Sequence, residues 1–219
     1  MSSETFDHAT AIDVPRSLRP ATSNAYYRAL YRRLLLESAS ERSVRVVGVT
    51  SCRHGAGVST VASGLAIAAA EDGQAKVLLV DASPEAPVDY PIFALDQALR
   101  VHNVEQAAAA LEQVLQPSYL EKLWVLPLGT AFNGSPKSKS KTTIRELLSN
   151  LLQEFSFIVV DMVPVDQLGR GVQITSAVDG IVLVVDAEHT LRSQARAATG
   201  ALARARLLGA VVNKRSETE

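Results

Sequence analysis

The sequence predicts a doubly wound α/β fold, in which helices flank both faces of a mostly parallel β-sheet. Six short runs rich in valine, isoleucine and leucine supply the strands, and stretches with helical periodicity separate them. A strand that helices cover on both faces is apolar on both sides, so it reads as a continuous apolar run. A glycine-containing loop at residues 55–60 joins the first run to a helical stretch. This alternation of strand and helix is typical of a parallel sheet with crossover helices.

The predicted elements follow one another in a regular order. The predicted strands are 44–50, 76–81, 123–127, 157–161, 180–186 and 210–213. The predicted helices that follow the first strand are 61–71, 104–115, 143–153 and 190–208. Gly209 is predicted to end the last helix, because glycine is common just after a helix C-terminus.

A single domain is expected over residues 21–215, since a chain of 219 residues suffices for one full core. Residues 1–20 are polar and lack periodicity, so they are predicted to form a mobile tail, and residues 216–219 form a short second tail. Two irregular insertions are expected at 87–103 and 129–141. The second carries three lysines and is interpreted as a solvated loop, with binding of an acidic partner as the alternative.

An amphipathic helix is predicted over residues 23–36, ahead of the first strand. Its apolar face consists of Tyr27, Leu30, Tyr31 and Leu34. Arg28 and Arg32 fall on another face of the same helix.

The composition argues against several classes of protein. The formal net charge is −1, whereas a general nucleic-acid binder usually carries a strong basic excess. No apolar stretch approaches the ~20 residues that span a bilayer, and the N-terminus has no apolar signal core. Cys52 is the only cysteine, so no intrachain disulfide can form, which suits a reducing cytoplasm. We interpret Cys52 as a bystander thiol rather than a reactive one.

The loop after the first strand has the pattern of a phosphate-binding loop that lacks its lysine. In such a loop, backbone N–H groups cradle the phosphates, a lysine reaches the terminal phosphates and a Ser/Thr hydroxyl holds magnesium. Here Val58 stands at the lysine position, while both glycines and both hydroxyl residues are present. The predicted nucleotide-binding residues of the loop are Gly55, Ala56, Gly57, Val58, Ser59 and Thr60. The third glycine of a dinucleotide fingerprint is missing, which disfavours NAD.

Polar residues close three of the predicted strands. Asp81 and Asp161 each end a strand, and the carboxyl ends of parallel strands meet at the ligand-binding edge of such a sheet. Together with Ser59, these carboxylates are predicted to hold magnesium or its waters. Asn213 closes the last strand, where its amide is a candidate for recognition of a base. The alternative is that the aspartates cap turns and that Asn213 is an ordinary turn residue.

The order of these motifs resembles the cytoplasmic domain of bacterial tyrosine kinases, which belong to the deviant Walker ATPases together with chromosome- and septum-positioning proteins. The resemblance covers about residues 23–214. It is carried by the segments 26–34, 46–51, 55–60, 77–81, 123–129, 157–164, 179–185 and 208–214. It implies a domain that uses Mg-ATP and partners a membrane chain-length regulator in the export or polymerisation of capsular or extracellular polysaccharide. In that family the domain phosphorylates its own tyrosine-rich C-terminal tail, often in a ring of subunits.

The chain departs from the family pattern at the positions that carry catalysis. The family lysine is Val58, and the family motif Asp-x-Asp followed by arginine is represented by Asp81, Ser83 and Glu85. The tail after Asn213 contains no tyrosine. One charge-assisted hydrogen bond contributes about 1.5–3 kcal/mol. Its loss is therefore expected to lower the affinity for the phosphates about tenfold to hundredfold.

The oligomerisation helix of the family is also altered. Its leading glutamate corresponds to Ala25 and its second arginine to Tyr31, while Arg28 remains. Arg53, His54 or a basic residue of a neighbouring subunit are the candidates for a substitute cation at the phosphate loop.

These features predict a non-catalytic, pseudokinase-like regulatory or scaffolding subunit of bacterial exopolysaccharide or capsule biosynthesis and export. ATP or ADP with Mg²⁺ is expected to bind weakly or vestigially. The expected partners are a membrane chain-length regulator or another polysaccharide-export protein, and further subunits that are copies of this chain or an active kinase; nucleic acid is not expected. The expected location is the cytoplasm, with recruitment to the inner face of the membrane by a partner.

Two alternatives remain open. The first is a functional ATP-binding switch, because a cellulose-secretion component among the relatives of the positioning ATPases also lacks the lysine. The second is an active tyrosine kinase, which ranks last because the usual substrate tail is missing.

Overall fold

A computed structural model describes residues 11–15, 25–38, 43–74, 76–82, 104–118, 120–128, 143–168 and 172–215. Both predicted insertions, the 216–219 tail, Ser83 and Glu85 lie outside the described residues. No helix in the described ranges is long and apolar enough to cross a membrane.

The described part of the chain forms an eight-stranded sheet with the strand order β1-β8-β7-β2-β6-β3-β5-β4. The strands are β1 (Ala11–Pro15), β2 (Val46–Ser51), β3 (Val77–Asp81), β4 (Gln116–Pro117), β5 (Leu123–Pro127), β6 (Phe157–Asp161), β7 (Gly180–Asp186) and β8 (Leu207–Arg215). The short β4 is antiparallel to β5, and the other pairings are parallel. The predicted doubly wound, mostly parallel fold is confirmed.

Helices cover both faces of the sheet. They are α1 (Ala25–Ser38), α2 (Val58–Glu71), α3 (Val104–Ala109), α4 (Leu111–Val114), α5 (Ile144–Leu151), α6 (Val172–Ala177) and α7 (Arg192–Ala201), with a 3₁₀ turn at Val165–Gln167. Where the sequence predicts one helix over 104–115, the chain forms α3 and α4.

The core consists of two apolar layers, one on each face of the sheet. Successive residues of a strand point to opposite faces, so Val77 and Leu79 belong to one layer and Leu78 and Val80 to the other. The first layer contains α1 and α2, and the second contains α5. β2, β3 and β6 are buried along their whole length, which explains why these strands read as continuous apolar runs.

The sequence of α5 specifies both its start and its buried face. The hydroxyl of Thr143 accepts from the N–H of Glu146, and the Glu146 carboxylate accepts from the N–H of Thr143. This reciprocal capping box satisfies two backbone donors at the helix N-terminus. The buried side chains Ile144, Leu147, Leu148 and Leu151 then recur at helical spacing.

The predicted apolar face of the N-terminal helix is confirmed in α1. All four of its members are buried, and the Tyr31 ring packs edge-on against Phe157 with ring centroids 5.3 Å apart. The ring of Tyr27 lies over Gly64 of α2, where a Cβ atom would come within 2.5 Å of the ring. Gly64 therefore permits the close approach of α1 to α2.

Residues 11–15 correct one prediction. They form β1, which pairs in parallel with β8, although the polar sequence of residues 1–20 predicts a mobile tail. The apolar alternation of Ile12 and Val14 is too short to stand out in the sequence. The pairing depends on an exposed edge of β8, which comes from the other end of the chain.

The end of the chain corrects a second prediction. α7 ends at Ala201 and β8 already begins at Leu207, so Gly209 does not end a helix. It lies at an irregularity in the pairing of β7 with β8, where Ile181 pairs with Leu207 and Val182 pairs with Gly209. A glycine at a strand bulge and a glycine after a helix give the same local signal, so the sequence alone did not distinguish them.

We expect Gly64→Ala to destabilise the protein, because the new methyl group overlaps the Tyr27 ring and overpacking of a core typically costs about 1–3 kcal/mol. Gly200→Ala is the matched control: it places the same methyl group in a helix where nothing lies within 4 Å, and we expect a gain of up to about 1 kcal/mol. Urea unfolding measures both changes in the free energy of unfolding. Equal effects of the two substitutions would contradict the proposed role of Gly64.

Candidate nucleotide-binding site

The carboxyl ends of the central strands form the edge at which the predicted site residues lie. β2 is at the centre, with β6 and β3 on one side and β7 and β8 on the other. The strands β6 and β7, which follow one another in the chain, therefore lie on opposite sides of β2. Ligands bind at such a reversal of the strand order in open α/β sheets. The 55–60 loop comes after β2, separated from it by residues 52–54, and leads into α2.

The backbone of the loop depends on its two glycines. Gly55 has φ +76° and Gly57 has φ +92°, a left-handed region that glycine occupies without a steric penalty. Helix α2 begins at Val58, three residues earlier than predicted, so Val58, Ser59 and Thr60 form its first turn. The first N–H groups of a helix have no intrahelical acceptor and favour an anion, and the N-cap Gly57 has no side chain to accept from them.

Asn213 is held against this loop. Its amide Nδ2 donates to the carbonyl oxygen of Ala56 over 2.9 Å, and a Cβ atom on Gly57 would lie 2.2 Å from the same Nδ2. Position 57 therefore requires glycine for two reasons: its φ is positive, and a Cβ atom there would overlap Asn213. In this conformation Asn213 contacts the loop, and its predicted role in recognising a base stays a prediction.

Asp81 and Asp161 come together at the same edge. They are register partners on the adjacent strands β3 and β6, which are about 4.8 Å apart, and Asp161 also pairs with Val49 of β2. Both are buried, with 3% and 1% of their surface exposed. Two carboxylates and the hydroxyl of Ser59 at the start of α2 are hard oxygen donors, the type that Mg²⁺ prefers.

Val58 packs as an apolar residue. It is half-buried and lies against the core layer that contains α1 and α2. The side chain of Val58 therefore contributes to the core and brings no charge to the loop.

The structure reveals a charged cluster at the loop that is not among the predicted site residues. Asp186, at the end of β7, is only 1% exposed and accepts from the Nζ of Lys214 over 3.1 Å. Arg53 lies 3.7 Å from the same carboxylate, and the Nδ1 of His189 lies 3.2 Å from it. The ammonium of Lys214 also donates to the carbonyl oxygen of Gly55.

The cluster keeps Asp186 ionised. Burial alone would raise the pKa of this carboxyl, but hydrogen bonds from Lys214, from His189 and from the N–H of Glu188, together with the charge of Lys214, outweigh burial and lower the pKa below its ordinary value. The sequence did contain a signal for Asp186, because it ends a buried strand just as Asp81 and Asp161 do.

The two candidate substitute cations of the sequence analysis differ in position. Arg53 belongs to the Asp186 cluster, whereas His54 is exposed and lies just before the loop. Cys52 is buried, and burial and the nearby charge of Asp166 raise the pKa of its thiol. A buried thiol with a raised pKa is a poor nucleophile, which agrees with its interpretation as a bystander.

The fold and the loop define a P-loop NTPase-like protein, and comparison with known proteins identifies the family. The family model described as cellulose biosynthesis protein BcsQ matches residues 44–208. The tyrosine-protein kinase YwqD of Bacillus subtilis (strain 168) is 31% identical over 206 residues, which cover 93% of this chain and 84% of YwqD. The chain therefore belongs to the family of P-loop proteins that includes the bacterial tyrosine kinases and BcsQ.

Solved structures agree with this assignment at the level of the fold. The chimerical protein CapA2B2 superimposes with a TM-score of 0.76 at 23% identity, covering 95% of this chain and 94% of that chain. The kinase domain of the Escherichia coli tyrosine kinase ETK gives a TM-score of 0.73 at 20% identity, covering 96% and 92%.

We expect Gly57→Ala to destabilise the protein more than Gly55→Ala. Both substitutions force a side chain into positive φ, at about 1–2 kcal/mol each, but only Gly57→Ala overlaps Asn213, since nothing lies within 4 Å of Gly55. The difference between the two free energies of unfolding, measured in urea, reports the Asn213 contact. A larger loss for Gly55→Ala would contradict this assignment.

Asp186 is expected to link folding to pH. Its folded-state pKa is lowered, so its contribution to stability is complete above the unfolded-state value of about 3.9 and is lost as the pH falls through the lower folded-state value. Asp186→Asn should lower stability at pH 7 and lose less stability than the wild type on acidification below about pH 4. Urea unfolding between pH 7 and pH 3 tests this, with Glu154→Gln, which removes the carboxylate of a side chain that is 60% exposed, as the matched control.

Proposed function

We propose that this chain is a non-catalytic regulatory or scaffolding subunit of bacterial exopolysaccharide or capsule biosynthesis and export, with weakened binding of ADP or ATP and Mg²⁺. Membership of the family supports the role in polysaccharide biosynthesis: its model is described as a cellulose biosynthesis protein, and cellulose is itself an extracellular polysaccharide. The position of Val58 supports the absence of catalysis.

The packing of Val58 is the observation that carries this proposal. Phosphoryl transfer depends almost entirely on positioning and on neutralising the developing charge. Valine carries no charge and its side chain packs against the core here, so Val58 does not supply the charge that a lysine brings to the terminal phosphates. Ser83 also replaces the second carboxylate of the family motif, so two catalytic contributions are missing together.

The surviving elements of the site favour residual nucleotide binding. The left-handed glycines, the N-terminus of α2 and the oxygen donors Ser59, Asp81 and Asp161 remain. In the proposed complex, the loop amides contact the phosphates, and the oxygen donors hold Mg²⁺ directly or through water.

The exposed surface of α1 supports assembly with other subunits. Tyr26, Leu35 and Leu36 are large apolar residues that face solvent, Leu36 with 74% of its surface exposed. Arg28 of the same helix forms an ion pair with Glu71 of α2 at 3.5 Å. We propose a cytoplasmic protein that a membrane chain-length regulator or another export protein recruits to the inner face of the membrane, and that assembles with copies of itself or with an active kinase.

A functional ATP-dependent switch is the second candidate. The match of residues 44–208 to BcsQ favours it, because it places this chain beside a polysaccharide-biosynthesis protein that is not named as a kinase. Dimerisation that requires ATP, measured by sedimentation velocity with and without Mg-ATP, would favour the switch over the scaffold.

Turnover and binding of Mg-ATP test the proposal on the wild type and on Val58→Lys. We expect no turnover above background for the wild type and binding about tenfold to hundredfold tighter for Val58→Lys in calorimetric titration, because one charge-assisted contact is restored. Val58→Met is the control, since it extends the side chain without adding charge. Sustained hydrolysis of ATP by the purified wild type would refute the non-catalytic role.

A further inference from the structure

Side chains from outside the phosphate loop hold two carbonyl groups within it and one carbonyl group just before it. The Ser51 hydroxyl donates to the carbonyl of Arg53 over 2.7 Å. The Lys214 ammonium donates to the carbonyl of Gly55, and the Asn213 amide donates to the carbonyl of Ala56. The donors come from the end of β2 and from the end of β8, so they fix the loop from the sheet side.

Fixing a carbonyl also fixes the following N–H group. The peptide unit is planar and trans, so the C=O of one residue and the N–H of the next point in opposite directions, and no cis peptide bond occurs in the described residues. When Lys214 and Asn213 hold the carbonyls of Gly55 and Ala56, the N–H groups of Ala56 and Gly57 point away from these donors. A row of such N–H groups is the chemistry that binds a phosphate.

Lys214 contacts Gly55 and Asp186 from a strained backbone conformation. Its φ of +61° is in the left-handed region, and it is the one non-glycine residue with positive φ in the described parts of the chain. A non-glycine residue in this region costs of order 1–3 kcal/mol and persists only where surrounding contacts determine it. The contacts here are those of its ammonium with Asp186 and with Gly55.

The cluster also leaves positive charge beside the loop. Arg53 and Lys214 are two cations that share the single carboxylate of Asp186. Both side chains are partly exposed, whereas Asp186 is buried. The field of one cation is thus not offset by this carboxylate, at a loop where Val58 supplies no charge.

We propose that Lys214 is the positioning residue of the phosphate loop. Anchored by Asp186, it turns the Gly55 carbonyl away from the site and directs the N–H of Ala56 toward the terminal phosphates of a nucleoside di- or triphosphate. Its ammonium, on the opposite side of the loop from the phosphates, also supplies part of the positive charge that Val58 lacks. This inference rests on the proposed function only in that nucleotide phosphates reach the loop; it does not depend on whether the chain is catalytic.

Three substitutions of Lys214 distinguish the contributions of its charge, of its side-chain stem and of its strained backbone conformation. Lys214→Met removes the ammonium and keeps the stem, Lys214→Arg keeps the charge, and Lys214→Gly removes the side chain while relieving the strain of positive φ. Lys76→Met is the matched control: Lys76 precedes β3 at the opposite edge of the sheet, where it contacts Glu154 and the rings of Trp124 and Phe155.

The experiment is calorimetric titration with Mg-ADP at two salt concentrations, with urea unfolding of each variant in parallel. We expect Lys214→Met and Lys214→Gly to bind about tenfold to hundredfold more weakly than the wild type, the effect of one charge-assisted contact. Lys214→Arg should restore most of the affinity, and Lys76→Met should leave it unchanged. The affinity of the wild type should fall more steeply with salt than that of Lys214→Met, because salt screens the Lys214 charge, which the variant does not have.

The outcomes distinguish this inference from the proposed function. Equal affinity and equal salt dependence of the wild type and Lys214→Met would overturn the inference and leave the regulatory role intact. A wild type that binds no Mg-ADP at millimolar concentration would also overturn it, again without affecting a scaffolding role. Conversely, ATP hydrolysis by the wild type together with weak binding by Lys214→Met would refute the non-catalytic role and support the positioning role. If Lys214→Met fails to fold, the comparison of Lys214→Gly with Lys214→Arg decides the question.

Discussion

The burial of the central strands on both faces is the constraint on which the rest of the structure depends. β2, β3 and β6 lie between two apolar layers, so polar side chains are tolerated only where these strands end. The strands are parallel, and their carboxyl ends therefore bring the residues at their ends to one edge. Asp81, Asp161, Asp186 and Asn213 are among the few buried polar residues, and all of them are at that edge.

The proposed phosphate loop takes its shape and its charge from different residues. Its shape depends on the glycines and on donors from the ends of β2 and β8, whereas the affinity for phosphate also depends on cations. Val58 brings no charge to the loop, and its side chain packs against the apolar layer that contains α1 and α2.

Local pattern and long-range pairing explain which parts of the fold could be predicted. The strands around the loop and the buried face of α1 follow from apolar periodicity within a few residues, and the structure confirms them. β1 and the start of β8 could not be assigned, because β1 depends on an edge supplied by the other end of the chain and Gly209 marks a bulge between two strands. Asp186 was recognisable by its position at a strand end, but its partners Arg53 and Lys214 are distant in the sequence.

By itself, the sequence determined six of the eight strands in the described residues, the position of the glycine-containing loop after β2 and the presence of Val58 in it, because each of these is encoded in neighbouring residues. Only the tertiary structure decided which distant groups act on that loop. The contacts of Lys214 and Asn213 with the carbonyls of Gly55 and Ala56 require β8 to lie next to β7, which in turn lies next to β2. That adjacency arises from packing of the whole sheet between its helices.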